Sequence, residues 1–201
     1  MLFFLFVLIV TGCAPTSPAG FTPEQAVMIE NGDAQTPMRV FKITSTSDSV
    51  LLRTPSESVR VDADDPLLEL FVDRLYATVR DSQSLGLGIA APQVGILKNI
   101  IWVQRLDKVE EDLPFEVYLN PQIVDYSDQK QVNREGCLSI PNRSEACERS
   151  QTIVLEYDRM DGSHGRDTVS DFTAVIFQHE VDHLNGILYL DHLAEHRRAV
   201  P

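Results

Sequence analysis

The stretch "QHEVDHLNG", residues 178–186, contains two histidines four positions apart, with a glutamate directly after the first. On a helix, residues four positions apart share one face, with their Cβ atoms about 5–6 Å apart. His179 and His183 are therefore placed to bind one divalent metal ion. Glu180 lies beside that face, where it can take a proton from water bound to the metal. Gly186 suits the position that follows the end of such a helix.

Two imidazoles do not complete a metal site, so a third ligand is required. In zinc proteases of the HExxHxxGxxH type the third ligand is a histidine, but this chain has Tyr189 at that position. Glu195 follows His183 too closely for the other protease pattern. The third ligand is therefore expected upstream, and Cys137 in "REGCLSIPNR" is the candidate. Two histidines and a cysteine with one open position form a recognised catalytic set for zinc or ferrous iron.

The composition limits the class of protein. A chain of 201 residues is enough for one domain with a core. Its net charge of −13, without a basic run, argues against nucleic-acid binding, because phosphate contacts need clustered Lys and Arg. Three cysteines do not form a disulfide scaffold. Cys137 and Cys147 can still pair with each other or have separate roles.

The N-terminus resembles an export signal. In "MLFFLFVLIVTGC" the residues from Leu2 to Val10 are all apolar, which is far short of the roughly 20 that span a bilayer as a helix. The following "VTGC" resembles the lipobox of bacterial lipoproteins, with Cys13 as the lipidated residue. No Lys or Arg precedes the apolar run, so a mis-chosen start codon or a vestigial extension is the alternative. The first interpretation predicts a membrane-anchored lipoprotein of the cell envelope, and the second predicts a cytoplasmic protein.

The rest of the chain divides into three parts: a Pro-, Thr- and Ser-rich linker over 14–37, a domain over 38–193 and a polar tail over 194–201. An edge strand is expected at 38–43. A helix is expected to begin at Asp65 and Pro66, and its apolar face is predicted to contain Leu67, Leu70, Phe71, Leu75 and Val79.

The middle of the chain favours β-structure. Strands are expected at 99–104, 115–121 and 152–162, with a hairpin turn around Asp161 and Gly162. A second helix is expected to begin near Ser170 or Asp171 and to carry the two histidines. Strands and two helices without a βαβ alternation indicate an α+β fold, with one helix packed into the sheets.

A further motif, "GLGIAAPQVG" at 86–95, has small residues around one glutamine. It lacks the spacing and the following helix of a nucleotide site. Together, "GLGIAAPQ", "EGCLS" and "QHEVDH", in this order, resemble the peptide deformylases over residues 38–193. The resemblance implies antiparallel sheets packed around the HExxH helix. It also implies a metal-dependent hydrolase that removes the formyl group from N-formylmethionyl peptides. A metalloprotease and a non-catalytic metal-binding lipoprotein are the alternatives.

The resemblance also assigns roles to single residues. Cys137, His179 and His183 would bind one divalent ion, usually Fe²⁺, with Zn²⁺, Ni²⁺ or Co²⁺ also accepted. Glu180 would act as general base and then as general acid. The remaining roles are oxyanion donors (the Gln93 amide and the Leu138 N–H), backbone partners of the extended substrate (Gly88 and Gly136) and walls of the methionine pocket (Leu87, Val175 and Ile176).

Further expectations concern three residues near or outside the motifs and the oligomeric state. Asp182 is expected to pair with a cation such as Arg149. His164 and His192 are expected at the surface. The enzyme is expected to act as a monomer.

Overall fold

The computed structural model describes residues 19–82, 85–108 and 113–193. The apolar leader, Cys13 and the tail at 194–201 lie outside the described residues. Within the described ranges, no helix combines the length and the apolar character needed to span a bilayer.

The described ranges contain four helices and seven strands with defined ends, and residues 189–193 are also helical. The helices are α1 (Pro23–Glu30), α2 (Thr46–Leu52), α3 (Pro66–Arg80) and α4 (Asp171–Leu184). The strands are β1 (Gly88–Ala90), β2 (Ile100–Gln104), β3 (Phe115–Tyr126), β4 (Lys130–Cys137), β5 (Ile140–Ser150), β6 (Thr152–Asp158) and β7 (His164–Ser170). A 3₁₀ turn over Ala91–Val94 follows β1.

All strand pairs in the two sheets are antiparallel. Five strands form one sheet in the order β1-β2-β3-β6-β7, and β4 pairs only with β5 in a separate two-stranded ribbon. The hairpin between β6 and β7 turns at the expected place, and Gly162 adopts a left-handed backbone with φ of +79°. The fold is therefore the α+β arrangement expected from the sequence.

The five-stranded sheet carries a core on each face because successive strand residues point to opposite sides. On β2, Ile100 faces the core that contains α3, whereas Ile101 and Val103 face the core that contains α4. From α4, the second core receives Ala174, Phe177 and Val181 among others. Helix α4 is thus held between the sheet and the ribbon, and it contacts every strand of both.

Helix α3 begins where the sequence predicts. The Asp65 side chain accepts a hydrogen bond from the Leu67 N–H at 2.9 Å, and Pro66 occupies the first helical position. The buried face is rotated from the predicted one. Leu67 and Leu70 are only half-buried, and the buried apolar residues are Leu68, Phe71, Val72, Leu75 and Val79.

Helix α4 also follows the prediction. It runs from Asp171 to Leu184, and Gly186 follows with φ of +70°. A Cβ at Gly186 would lie 2.5 Å from the Arg53 carbonyl oxygen, so the position requires glycine both for its backbone and for space.

Two predictions for the N-terminal part were wrong. The segment 14–37 was expected to be a linker, but its described part contains α1, which begins with a capping box between Thr22 and Gln25. Phe21 and Ile29 are buried in the core. The strand expected at 38–43 does not form, because its backbone hydrogen bonds go singly to other segments, such as Phe41 N–H to the Gln93 carbonyl at 2.7 Å.

Candidate active site

Three side chains, one from β4 and two from α4, lie close together. The sulfur of Cys137, at the end of β4, lies 3.2 Å from Nε2 of His183 on α4. One ligand atom each from Cys137, His179 and His183 lie within 4.8 Å of one another. This group of three is called the Cys-His-His cluster below. A thiolate and two imidazoles at such distances form a donor set that fits a tetrahedral divalent ion with one open position.

The surroundings of Cys137 favour its thiolate form. Burial raises its pKa, but the imidazoles of His183 and His179 outweigh burial and hold the pKa well below its ordinary value. The thiolate is the form that ligates a metal ion. A register shift between Gly136 and Cys137 ends the regular pairing of β4 with β5 at this cysteine.

A buried carboxylate orients one of the two imidazoles. Glu135 Oε2 lies 2.8 Å from Nδ1 of His179, which leaves Nε2 of the same ring for a metal ion. Burial raises the pKa of Glu135, but hydrogen bonds from His179 and Arg149 outweigh burial and hold it at about 2. Arg149 reaches Glu135 with two nitrogens, at 2.7 and 3.0 Å.

The same arginine connects this carboxylate to the other side of α4. Arg149 lies 2.6 Å from Asp182, so the predicted pair is confirmed. His192 was expected at the surface, but it is two-thirds buried and its Nε2 lies 2.7 Å from Asp182. His164 is exposed, as expected, and lies 3.2 Å from Asp158.

Glu180 lies beside the Cys-His-His cluster on α4 and is buried. Its Oε2 atom has no hydrogen-bond partner among the described residues, and neither has Nδ1 of His183. Burial raises the pKa of Glu180 to about 7, and a cation bound nearby would lower that pKa. A Cβ at Gly88 would lie 2.5 Å from Glu180 Oε1, so glycine is required there for the carboxylate to lie against β1.

Gln93, in the 3₁₀ turn, points its amide at the cluster. Its Oε1 accepts a hydrogen bond from the Ala90 N–H at 2.9 Å, which fixes the orientation of the side chain. Nε2 then lies 3.6 Å from the Cys137 sulfur and 3.4 Å from Ser139 Oγ. The amide N–H group is thus held where it can donate to a ligand beside Cys137.

An open cavity of about 360 Å³ leads to this place. It is lined by residues 85–88, by residues 134–138, by Gln93 and by one face of α4 that includes Phe172, Ile176, His179 and Glu180. Of the predicted substrate-binding residues, Leu87, Gly88, Gly136 and Ile176 line it, as does Leu138. Val175 does not: it is buried, and a rotation of about 100° per residue separates it from Ile176 on the helix.

Cys147 is a free, buried thiol, and Cys137 is also free. The disulfide that the sequence left open between these two cysteines is therefore absent.

The sequence interpretation missed Glu135 and the buried state of Arg149. A signal for Glu135 exists, since residues two apart on a strand share a face, and Glu135 and Cys137 are two apart. Tyr189, which stands where a protease has its third histidine, stacks on the His179 ring with centroids 6.1 Å apart.

A free cysteine and a histidine that line an open cavity, with a second histidine behind them and a buried carboxylate beside them, are the site of a metal-dependent hydrolase. The family model described as Polypeptide deformylase matches residues 40–199. The chain belongs to the peptide deformylase family. It is a metal-dependent enzyme that removes the N-formyl group from N-formylmethionyl peptides and releases formate.

Curated relatives and solved structures agree. A peptide deformylase from Finegoldia magna is 36% identical over 154 residues, covering 77% of this chain and 90% of the relative. One from Desulfotalea psychrophila is 35% identical over 161 residues, covering 80% and 92%. The structure of a class I type b peptide deformylase from Acinetobacter baumannii, bound to Met-Ala-Ser, is 30% identical with a TM-score of 0.68, covering 79% of this chain and 99% of that one.

Proposed function

We propose that the chain hydrolyses the formyl–nitrogen bond of its substrate at the Cys-His-His cluster, with Glu180 transferring the protons. The observation that carries this proposal is the convergence of three ligand atoms within 4.8 Å beside a buried carboxylate whose Oε2 lacks a partner. The cavity leads a peptide to this point from solvent.

One divalent ion, with Fe²⁺ as the proposed identity, would be held by Cys137, His179 and His183. Fe²⁺ is the ion that the resemblance to the family implies, and the mixed sulfur and nitrogen donor set is compatible with Fe²⁺, Zn²⁺, Ni²⁺ or Co²⁺. An ion bound there supplies Lewis acidity, which polarises a carbonyl group and lowers the pKa of water. Glu135 and Arg149 contribute by fixing the ring of His179.

Glu180 acts as general base and then as general acid. Its carboxylate takes one proton from the attacking water while the oxygen of that water bonds to the formyl carbon. When the carbon–nitrogen bond breaks, the same carboxyl group gives the proton to the departing nitrogen. Formate and a peptide with a free amino group are the products. Burial and the missing partner at Oε2 keep this carboxyl group available for both transfers.

Two donors stabilise the negative charge that develops on the formyl oxygen. The Gln93 amide is held by the Ala90 N–H so that Nε2 faces Cys137. The Leu138 N–H follows Cys137 directly along the chain and is the second donor. Donors fixed before the reaction stabilise the transition state without reorganisation.

The peptide lies between two glycine-containing segments. We assign Gly88 and Gly136 as its backbone neighbours, and Leu87 and Ile176 as walls for the methionine side chain. The relative from Acinetobacter baumannii was crystallised with Met-Ala-Ser and also with actinonin. Binding of a peptide with an N-terminal methionine in that relative supports the same use of this cavity.

A formate-release assay tests the assignment. The protein loaded with Fe²⁺ or Ni²⁺ is expected to release formate from formyl-Met-Ala-Ser and to leave casein intact. The Glu180→Gln variant is expected to lose at least 100-fold in kcat/KM while it retains its metal, because the proton transfers fail. Metal content measured on both proteins is the control. Cleavage of casein without formate release would support a metalloprotease, and full activity of the variant would refute the role of Glu180.

We further propose that the leader directs export and that Cys13 is lipidated, so that a monomeric enzyme is anchored at the cell envelope. The apolar run followed by "VTGC" supports this proposal. Its substrates would then be exported formyl peptides. Labelling with radioactive palmitate is expected to mark the full chain and not the Cys13→Ala variant. Labelling of neither protein would favour a cytoplasmic enzyme, and equal labelling of both would refute Cys13 as the lipidated residue.

A further inference from the structure

Arg134 stands at the mouth of the cavity, three residues before Cys137 on β4. Its side chain is exposed, and among the described Lys and Arg residues it alone lines the cavity. The two carboxylates that also line the cavity, Glu135 and Glu180, are buried. The electrostatic character of the outer part of the cavity is therefore set by this one cation.

The guanidinium of Arg134 has donors to spare. One nitrogen donates to the Ser144 carbonyl oxygen at 2.7 Å, which holds the side chain along the ribbon. No ion pair within the described ranges includes Arg134, whereas Arg143 on β5 pairs with Glu145 at 3.0 Å. A guanidinium has five N–H donors in a fixed fork that suits a carboxylate. The orientation of Arg134 is thus fixed without a carboxylate of the protein.

The residues that surround Arg134 on the exposed face of the ribbon have small side chains. Residues directly opposite on paired strands share a face, and Arg134 is opposite Ala146 while Gly136 is opposite Ser144. All three of these neighbours are exposed. A Cβ at Gly136 would meet only the Arg143 carbonyl oxygen, at 4.0 Å. On the face of β4 that carries Arg134, these small neighbours leave the mouth of the cavity open, and the cavity itself is lined by both Arg134 and Cys137.

The separation between Cys137 and Arg134 along β4 matches the third residue of an extended peptide. Three residues of a strand span about 10 Å. An extended peptide whose formyl carbon lies beside Cys137 covers roughly the same length by its third residue.

We propose that Arg134 is a specificity-determining residue that favours formyl-methionyl peptides with a carboxylate on their third residue. The inference rests on the proposed function, because it places the formyl group at the Cys-His-His cluster. In a chain with a net charge of −13, acidic peptides are otherwise repelled, and a local cation at this position offsets that repulsion.

The test compares two amidated peptides, formyl-Met-Ala-Asp and formyl-Met-Ala-Asn, which differ only in the charge of the third residue. We expect the wild-type enzyme to show a kcat/KM ratio of about two- to fivefold in favour of Asp at low salt, the range of an exposed ion pair. High salt should bring the ratio close to one. Arg134→Gln should abolish the preference, and Arg134→Glu should invert it. Arg143→Gln, which removes the neighbouring exposed arginine, should keep it.

Two results would overturn the assignment of Arg134. One is an equal rate with both peptides in the wild-type enzyme, and the other is a preference that survives in Arg134→Gln but disappears in Arg143→Gln. Both results include formate release, so they leave the proposed function intact. Absence of formate release from both peptides in the metal-loaded wild-type enzyme would refute the proposed function and this inference together.

Discussion

Glu135 illustrates how a single buried carboxylate prepares a metal ligand. It lies between Nδ1 of His179 and the guanidinium of Arg149, at 2.8 and 2.7 Å, so its charge is balanced on both sides. The imidazole consequently presents its other nitrogen to the cluster in a fixed direction.

Replacing Glu135 by Gln should therefore weaken metal binding. We expect the affinity for Zn²⁺ or Ni²⁺ to fall about 10- to 100-fold, because the ring of His179 loses its charged partner. Competition with a chromogenic chelator measures this. Glu148→Gln, an exposed position on the same ribbon, is the matched control and should bind metal like the wild type. Unchanged affinity in Glu135→Gln would remove the orienting role.

Gly88 gives a second prediction for a single side chain. In Gly88→Ala the new methyl group would lie within 2.5–2.9 Å of three atoms of Glu180 and would displace that carboxyl group. We expect at least a 100-fold loss of kcat/KM with the metal retained. Gly136→Ala has open space instead and should leave the melting temperature unchanged, whereas Gly88→Ala should lower it. A fully active Gly88→Ala enzyme would show that Glu180 need not lie against β1.

Side chains that follow a fixed spacing could be predicted from the sequence, and those that depend on pairing could not. The spacing of His179, Glu180 and His183 determines one helical face wherever the helix lies. The pair of Arg149 with Asp182 was predicted, but its contact with Glu135 depends on the pairing of β5 with β4, and no local pattern indicates that pairing.

Among the helices and strands, α4 depends on the ribbon for its position. Gln178 hydrogen bonds to both backbone groups of Ser150, accepting from the N–H at 3.0 Å and donating to the carbonyl at 2.9 Å. This contact is buried and joins the helix that carries two ligands to the ribbon that carries the third. A shift between them would separate the ligands.

Gln178→Leu should thus destabilise the enzyme by about 1–3 kcal/mol, because the buried Ser150 N–H loses its side-chain acceptor while the Ser150 carbonyl keeps Gln131 as a donor. Urea unfolding monitored by fluorescence measures the loss. Gln122→Leu, an exposed position on β3, is the control and should change stability by less than about 0.5 kcal/mol. Equal stability of the Gln178 variant would mean that other contacts position α4.

The ribbon also explains which strands the sequence failed to predict. Strands β2, β3 and β6 are rich in apolar residues and were predicted near their observed positions. Strands β4 and β5 direct Glu135, Cys137 and Arg149 inward, so the usual apolar alternation is replaced by functional side chains. Exposed positions alternate with half-buried or buried ones along β4, but the inward positions hold polar residues, so the sequence shows no apolar alternation.

In the molecule as a whole, residues 19–37 are part of the folded domain. Phe21 packs edge-to-face on Phe71 of α3, with ring centroids 5.6 Å apart, and Ile29 of α1 is also buried. The Pro- and Ser-rich composition suggested a linker because a helix of eight residues has too few apolar positions to show a pattern.

Phe21→Ala should accordingly cost about 3–5 kcal/mol of unfolding free energy, the range for removing a buried aromatic ring. Val27→Ala on α1 removes a side chain that is 69% exposed and should have little effect. Denaturant unfolding of both variants checks the pair. If Phe21→Ala were as stable as Val27→Ala, the segment would not contribute to the core and the linker interpretation would stand.

X-ray absorption spectroscopy of the Zn²⁺-loaded enzyme examines the proposed cluster without reference to its activity. One sulfur at about 2.3 Å and two imidazole nitrogens at about 2.0–2.1 Å are expected around a single ion, with the remaining position filled by a light atom. In Cys137→Ser the sulfur signal should disappear. A wild-type spectrum without sulfur, or with more than one, would contradict the assignment of Cys137, His179 and His183 as the metal ligands.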